Sequence, residues 1–425
     1  MPDMRLLFII DNYPPFDKGG YAQLCYDLAH EIRNRGHFVT ILCAGPMPVQ
    51  PDVEPVIRQL AIPVGWGDRW PVVVQQACLM TRRTRHNLRV FNRLVAEIRP
   101  DAILLWPTGF VDQRVMAAAE LLPDTVTAYY IAGVSPTDPT IIEQYWANPG
   151  YSISARIGKR LLRPVLGHHR RNKVSLRLQH VMCVSDYERR RVVATGVHEE
   201  NTWVVHNGID PMQFPFLGLP SSRRKSGAPL RVLYAGRLVE DKGAHTLVDA
   251  IAALYHDNAT AAVTVTLLGT GPVEYIQHID STVARFGLAD IVQRYDWINR
   301  SDVPAFLAKH DVLVLPTVRP EALSRAVQEA MATGLVVAAT PTGGTPEIVH
   351  DGITGLIFPP GDTTALARHL MKLRDDVELC DRLAVAGRDL VVQSFTMSKM
   401  ADTVLEHFAD WIGNLHGSVK TDASF

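Results

Sequence analysis

The feature that most constrains this chain is a strand–helix alternation that runs once, pauses and starts again. Arg5-Leu-Leu-Phe-Ile-Ile10 is a continuous apolar run of strand length. Such a run fits a strand buried on both faces of a parallel sheet. The Pro- and Gly-rich loop DNYPPFDKGG follows, then a helix expected over Tyr21–Arg35, with Leu24, Leu28 and Ile32 on one face and Gly36 closing it. Phe38–Cys43 completes a β-α-β unit, and further strands are expected at Asp101–Trp106, Thr125–Ile131 and His180–Ser185. The pattern restarts with a strand at Leu230–Ala235 and a helix at about Ala244–Tyr255. Strands are expected again at Ala262–Leu268, Ile291–Trp297, Asp311–Leu315 and Leu335–Thr340. The segment 216–229, FLGLPSSRRKSGAP, reads as a linker. This alternation implies an α/β class with doubly wound parallel sheets and right-handed crossovers. Ligands of such sheets sit at the carboxyl ends of the strands, and two such domains place the expected site in the cleft between them.

Charge and cysteine content narrow the function. The formal net charge is -1, which argues against binding nucleic acid by bulk charge. That balance is a cancellation: residues 1–200 carry a net +5 and residues 201–425 a net -6. Asymmetry of this kind suggests different partners for the two halves. No apolar stretch reaches the ~18 residues of a membrane span, and the N-terminus MPDMRLLFIIDN lacks the form of a secretory signal. A cytoplasmic location is expected. Five cysteines, at 25, 43, 78, 183 and 380, form no CxxC or Cys/His cluster. Neither a zinc site nor a disulfide framework is expected, and reduced buried thiols are.

Chemistry concentrates in the second half. Arg237 and Lys242 follow the carboxyl end of a strand, in a loop that leads into a helix. Two cations and a helix N-terminus suit a diphosphate; two solvated surface cations are the alternative. Glu321 and Glu329 stand eight residues apart around a helix expected over Ala322–Met331. That places Glu321 at the helix start and Glu329 about two turns inside. The N–H groups near Leu323, Ser324 and Arg325 would form an anion pocket. Glu321 can accept hydrogen bonds from sugar hydroxyls and Glu329 from a ribose. Alternatively, Glu321 is merely favourable beside a helix dipole. Glu329, among Ala326, Val327, Ala330 and Met331, needs a partner if buried.

These segments bear a family resemblance. Residues 204–210 (VVHNGID), 235–243 (AGRLVEDKG), 267–272 (LLGTGP), 311–334 and 343–362 resemble the donor-binding half of family 4 glycosyltransferases. The N-terminal segment from Asp11 to Leu42 resembles the glycine-rich first loop of that family. The resemblance implies a GT-B fold: two Rossmann-like domains, 1–203 and 204–395, facing across a cleft, with a C-terminal helix at about 396–420 packing back on the first. It implies retaining transfer of a hexosyl unit from a nucleoside diphosphate sugar, with no metal and no other cofactor. A UDP-sugar is the expected donor and GDP-mannose the alternative. The resemblance assigns Arg237 and Lys242 to the diphosphate and Glu329 to the ribose. It assigns Glu321 to the donor sugar, with the backbone at Leu323, Ser324 and Arg325 beside it. Trp297 and Ile298 match the region that meets the base, and Gly19 and Gly20 the loop approaching the phosphates.

Two departures stand out. The turn after the first carboxylate is Ala322-Leu323-Ser324 where the family usually has Gly-Phe-Gly. The His that often follows the strand at 125–131 is absent, with Tyr130 or Ile131 in its place. Asp138 is therefore the candidate for acceptor contact, a turn cap before Pro139 being the alternative. Asp138-Pro139 and Tyr145-Trp146 match a subgroup pattern that lacks the His. On the acceptor side, Arg82, Arg83, Arg85, Arg89 and Arg93 form one basic stretch and 156–177 another. They suggest peripheral contact with an anionic membrane, on its inner face, and a glycan, glycolipid or lipid-linked acceptor; a solvated helix face is the alternative. A non-catalytic nucleotide-sugar-binding subunit and a sugar-nucleotide epimerase or hydrolase remain alternative functions. From Phe395 to His416 a helix is expected, with Met397, Met400, Val404, Phe408 and Trp411 on one side and SVKTDASF frayed.

Overall fold

The computed structural model describes residues 3–16, 19–46, 55–62, 70–138, 174–225, 227–256 and 263–422, with backbone alone at 70–81 and 418–422. Two compact units result: Met1–Val184 with Arg189–Val205 and Ala401–Phe425, and Ser185–Glu188 with His206–Met400. Each is built on its own parallel sheet. The first holds β1 (Arg5–Ile10), β2 (Phe38–Cys43), β3 (Val56–Arg58), β4 (Ala102–Trp106), β5 (Val126–Ile131), β6 (Val181–Cys183) and β7 (Thr202–Val204), in the order β3-β2-β1-β4-β5-β6-β7. β1 pairs with β2 through Leu7↔Thr40 and with β4 through Leu7↔Ile103. All of β4 and β5 is buried, which is why these strands lack the polar alternation of a half-exposed sheet. The helix Gly20–Asn34 buries Leu24, Leu28 and Ile32, the face expected from their spacing.

The second sheet holds β8 (Leu230–Ala235), β9 (Val263–Leu268), β10 (Val292–Tyr295), β11 (Val312–Leu315), β12 (Val336–Ala339) and β13 (Leu356–Ile357), in the order β10-β9-β8-β11-β12-β13. Strand order reverses between β8 and β11, as it does between β1 and β4 in the first sheet. In doubly wound sheets these reversals open the crevice that ligands use.

Three details differ from expectation. The segment 216–229 is no linker. It carries a short helix, Pro220–Arg223, and two arginines that finish other elements of the second unit. Arg223 donates to the carbonyls of His310 (3.2 Å) and Gly334 (2.8 Å), and Arg224 to those of Leu373 (3.1 Å) and Arg374 (3.0 Å). Residues 373–374 and 334 end or follow helices, where carbonyls lack intrahelical donors, so basic side chains satisfy them. The helix expected over Ala322–Met331 spans Arg325–Thr333, for reasons given below. The last helix runs from Met397 to Asp422 and so includes Ser418–Asp422, with 423–425 outside the described residues. Its expected apolar side is buried: Met397, Met400, Val404, Phe408 and Trp411 are each under a tenth exposed.

The thiols of Cys25, Cys43, Cys183 and Cys380 are buried. Burial pushes the Cys380 thiol up to about 12, and its Sγ donates to the Leu373 carbonyl. Among the described residues no helix is long and apolar enough to cross a membrane.

Candidate active site

The carboxyl edge of the second sheet gathers most of the expected site residues. The loop after β8 runs from Gly236 to a 3-10 turn at Glu240–Lys242, and the loop after β11 runs from Pro316 to Ser324. They flank the point where strand order reverses, and they are zipped together. The Asp241 carbonyl accepts from the N–H of Val318 (3.0 Å) and the Thr317 hydroxyl (3.0 Å), and the Asp241 carboxylate pairs with Arg319 (3.0 Å). Gly243 closes the turn with a left-handed φ of 70°, and a Cβ there would lie 2.0 Å from the Pro316 carbonyl oxygen. Only glycine lets the two loops approach so closely.

Lys242 and Glu321 come together directly: Nζ donates to Oε2, with both side chains half-buried. Arg237 is exposed, and no carboxylate of a described residue pairs with it. The Tyr234 hydroxyl donates to the Arg237 carbonyl at 2.6 Å and fixes the backbone beneath that guanidinium. Burial pushes the Tyr234 phenol well above its ordinary range, so it stays a donor.

The backbone around Glu321 is fixed from two sides, and this delays the helix. The Glu321 carbonyl accepts from Gly344 N–H at 2.8 Å. At Gly343, φ is +61° and a Cβ would stand 1.9 Å from that same oxygen. On the other side the Asn207 amide reaches the Leu323 carbonyl at 3.4 Å, and Gln328 Nε2 holds the Asn207 side-chain and backbone oxygens at 2.9 Å. With 321–323 occupied, the helix begins only at Arg325, with Ser324 in extended backbone as its cap. The Ser324 hydroxyl does not cap the first turn. Glu321 thus precedes the helix by four residues, and Glu329 lies one turn inside rather than two.

Glu329 is buried at 7% exposure and does have its partner. Arg300 Nη1 donates to its Oε1 at 2.6 Å, and Arg325 Nε approaches the same oxygen at 3.8 Å. Arg300 follows Trp297 and Ile298 in the segment after β10. Trp297 is half-exposed and Ile298 partly buried. Sequence reasoning missed Arg300, and its 29-residue separation from Glu329 left no local signal. It also missed Glu347, whose carboxylate takes the N–H groups of Asp186 and Tyr187 and pairs with His206, each at 3.0 Å. Burial raises the Glu347 carboxyl, but those three hydrogen bonds outweigh it and hold the group below its ordinary value. Among the described residues no group of three or more His, Cys, Asp or Glu is placed to hold a metal ion.

The remaining candidates lie in the first unit. Gly19 and Gly20 stand at the N-cap and first position of the helix Gly20–Asn34, while Asp17 and Lys18 lie outside the described residues. Asp138 is engaged in a turn: Oδ2 accepts from Ser135 N–H at 2.7 Å, and Arg191 pairs with Oδ1 at 2.8 Å. Tyr130, at the site of the absent His, is buried and donates to the Val205 carbonyl at 3.0 Å. Pro139, Tyr145, Trp146 and the basic residues 156–173 lie outside the described residues. Of the first basic stretch, Arg82, Arg85, Arg89 and Arg93 are exposed on the helix Trp70–Ile98.

Two family models divide the chain in the same order. A glycosyltransferase family 4 model matches residues 18–213, and a glycosyl transferases group 1 model matches residues 229–376. The chain belongs to glycosyltransferase family 4. Gly19 and Gly20 fall under the first model, and Arg237, Lys242, Glu321 and Glu329 under the second. An amylovoran biosynthesis glycosyltransferase of Erwinia amylovora is 27% identical over 218 residues, 50% of this chain and 52% of the relative. The chain therefore spans about half the length of that relative. A glycogen synthase of Mycobacterium tuberculosis is 24% identical over 94% of this chain and 92% of its own. The structure of Anabaena HepE in complex with UDP-glucose superposes with a TM-score of 0.65 and 20% identity, covering 96% of this chain and all of that one. Likenesses of this size establish the fold, which is GT-B: two parallel-sheet α/β domains.

Proposed function

We propose that the chain is a retaining glycosyltransferase that moves a hexosyl unit from a nucleoside diphosphate sugar to a hydroxyl of a glycan, glycolipid or lipid-linked acceptor. The observation that carries this reading is the set of charged groups at the carboxyl edge of the second sheet. Arg237 is exposed in the loop after β8, Lys242 of that loop pairs with Glu321 before the helix Arg325–Thr333, and Glu329 is buried one turn inside that helix. In the proposed complex the diphosphate meets Arg237, Lys242 and the N–H groups at the start of the helix Arg325–Thr333. Glu321 accepts sugar hydroxyls and Glu329 the ribose. UDP is the proposed nucleotide, with GDP second; the UDP-glucose bound by HepE supports that order.

The proposed chemistry needs little from side chains beyond charge. The bond between the anomeric carbon and the β-phosphate oxygen breaks, and its electron pair stays with the phosphate. Arg237, Lys242 and the helix dipole stabilise that charge in place of a metal ion, and preorganised electrostatics of this kind can supply the largest part of a rate enhancement. The acceptor oxygen bonds to the anomeric carbon on the face the phosphate leaves, and its proton passes to a phosphate oxygen. The exposed Arg82, Arg85, Arg89 and Arg93 support an anionic acceptor or membrane surface on the cytoplasmic side.

The test is transfer from a panel of UDP-, GDP- and ADP-sugars to extracted lipids and oligosaccharides, with the product linkage read by NMR. The wild type is expected to give a product that keeps the donor's anomeric configuration. Lys242→Ala should lower kcat/KM by about 100- to 1000-fold, the range for removing one group that stabilises transition-state charge. Donor binding without transfer to any acceptor would make the chain a binding subunit. Free sugar or an isomer as sole product would make it a hydrolase or epimerase.

A further inference from the structure

Glu329 is held asymmetrically. Both neighbouring cations act on one oxygen: Arg300 Nη1 donates to Oε1 at 2.6 Å, and Arg325 Nε stands 3.8 Å from that same atom. The other oxygen, Oε2, receives no hydrogen bond from a described residue, yet it is not among the sealed polar atoms that lack a partner. It is the oxygen left to a ligand. Arg300 is itself fixed, since its guanidinium lies over the Phe214 ring with Cζ 4.9 Å from the centroid. The planar fork is thus braced on an aromatic face while one arm grips the carboxylate.

We propose that Arg300 is a positioning residue that fixes the rotation of the Glu329 carboxylate, so that Oε2 alone meets the ribose diol and reads its 2′-hydroxyl. The inference rests on the donor-binding reading of Glu329. It adds a specificity that reading does not contain: discrimination between ribo- and 2′-deoxyribonucleotides, set by a residue outside the motifs. A carboxylate with both oxygens free would bridge two hydroxyls and tolerate the loss of either. One with a single directed oxygen loses its main contact when that hydroxyl is missing. A hydrogen bond to a charged group is worth about tenfold or more in affinity.

The test is calorimetry of UDP, 2′-deoxy-UDP, GDP and 2′-deoxy-GDP binding to the full chain and to its Arg300→Met and Arg300→Lys variants. The wild type is expected to bind the ribo form about tenfold tighter than the deoxy form. Arg300→Met should shrink that preference to about two- to threefold by weakening the ribo form while leaving deoxy binding unchanged. Arg300→Lys keeps the charge without the planar fork and should fall between. A purely structural role would weaken both forms equally and leave the ratio intact, and that result overturns the inference. If Arg300→Met does not fold, the ratio in Arg300→Lys decides. A wild type that binds the nucleotides without a ribo preference also overturns the inference while sparing the donor reading. A wild type that binds none of them overturns the donor reading itself.

Discussion

The two carboxyl edges of this molecule solve the same topological problem in opposite ways. At the reversal in the first sheet, the chain fills the edge with its own side chains. Asp11, at the end of β1, is buried and accepts from the Thr108 hydroxyl beyond β4. Trp106 packs against Tyr130 (4.7 Å between centroids) and Tyr21 (5.3 Å), and the Tyr21 hydroxyl donates to the Tyr130 carbonyl at 2.5 Å. At the reversal in the second sheet, bulk is replaced by backbone. Gly243 and Gly343 let three loops touch, and the side chains there are charged and partly open to solvent. An edge packed with aromatics stores stability; one built from close backbone and partly exposed charged pairs stores binding capacity. Substitutions in the first unit should therefore register as stability, and those at the second edge as donor affinity.

The largest effect expected under this contrast lies in the last helix. In the first unit, Trp411 of the last helix lies against His180 (4.3 Å), Trp203 (4.9 Å) and His407 (5.1 Å). Trp411→Ala should cost about 3–5 kcal/mol in urea unfolding, as large aromatic truncations in cores do. Affinity for UDP, measured on the folded fraction, should stay within twofold. A parallel loss of UDP affinity would break the contrast.

Next come two glycines with positive φ. Gly343→Ala at +61° drives a Cβ into the Glu321 carbonyl oxygen, whereas Gly133→Ala at +116° meets nothing within 4 Å. Both carry backbone strain of about 1–2 kcal/mol, and the crowded site adds an overpacking cost of about 1 kcal/mol or more. Gly343→Ala should also displace Glu321 and weaken UDP-sugar binding at least tenfold. Gly133→Ala should leave binding alone. Thermal unfolding and calorimetry on the pair separate the two outcomes.

The third effect is a pH dependence. His310, in the second unit, is 5% exposed, and its ring nitrogen meets the Phe306 carbonyl at 2.9 Å. Burial pushes it down to about 4 from an ordinary 6.5. The unfolded chain therefore takes up a proton between those values before the folded one does. Stability is full above pH 6.5 and is lost as pH falls towards 4, by about 2 kcal/mol between pH 7 and pH 5 for this group alone. Urea midpoints of the wild type should fall over that interval, and those of His310→Gln should fall less by about that amount. Equal slopes would show that His310 does not set the acid sensitivity.

How much of this was legible in sequence follows from where each partner lies. β1, β2 and β8 have the expected limits, because strands buried in a parallel sheet read as unbroken apolar runs. β3, β7 and β13, two or three residues each, are too short to show any period. Lys242, Glu321 and Glu329 could be picked out because each stands beside a strand end or a helix start. Their partners could not be read. Arg300 reaches Glu329 across 29 residues, and Asn207 reaches Leu323 across 116. The same blindness misplaced the helix start. Ala322 and Leu323 are good helix formers, but Gly344 takes the Glu321 carbonyl and Asn207 the Leu323 carbonyl for the loop instead. Likewise, the arginines of 216–229 looked like linker charge because the helix ends they satisfy lie 87 or more residues away.

The smallest effect sharpens the contrast most, because it bears on a first-unit candidate that could belong to either class. Asp138 already has two occupations there, the Ser135 N–H and the Arg191 guanidinium. Asp138→Asn keeps an oxygen for the first and removes the charge from the second. The pair is about a quarter exposed on both sides, so the cost should be about 0.5–1 kcal/mol, the worth of a partly exposed ion pair. If the turn is the whole of its role, the acceptor KM of Asp138→Asn should stay within about twofold, and Arg191→Ala should match it in stability. A tenfold rise in acceptor KM in Asp138→Asn alone, with Arg191→Ala unaffected, would place the carboxylate against the acceptor. That result would give the first edge chemistry of its own. The contrast would then lie between two kinds of binding surface, one for the donor's charge and one for the acceptor's hydroxyl, rather than between stability and binding.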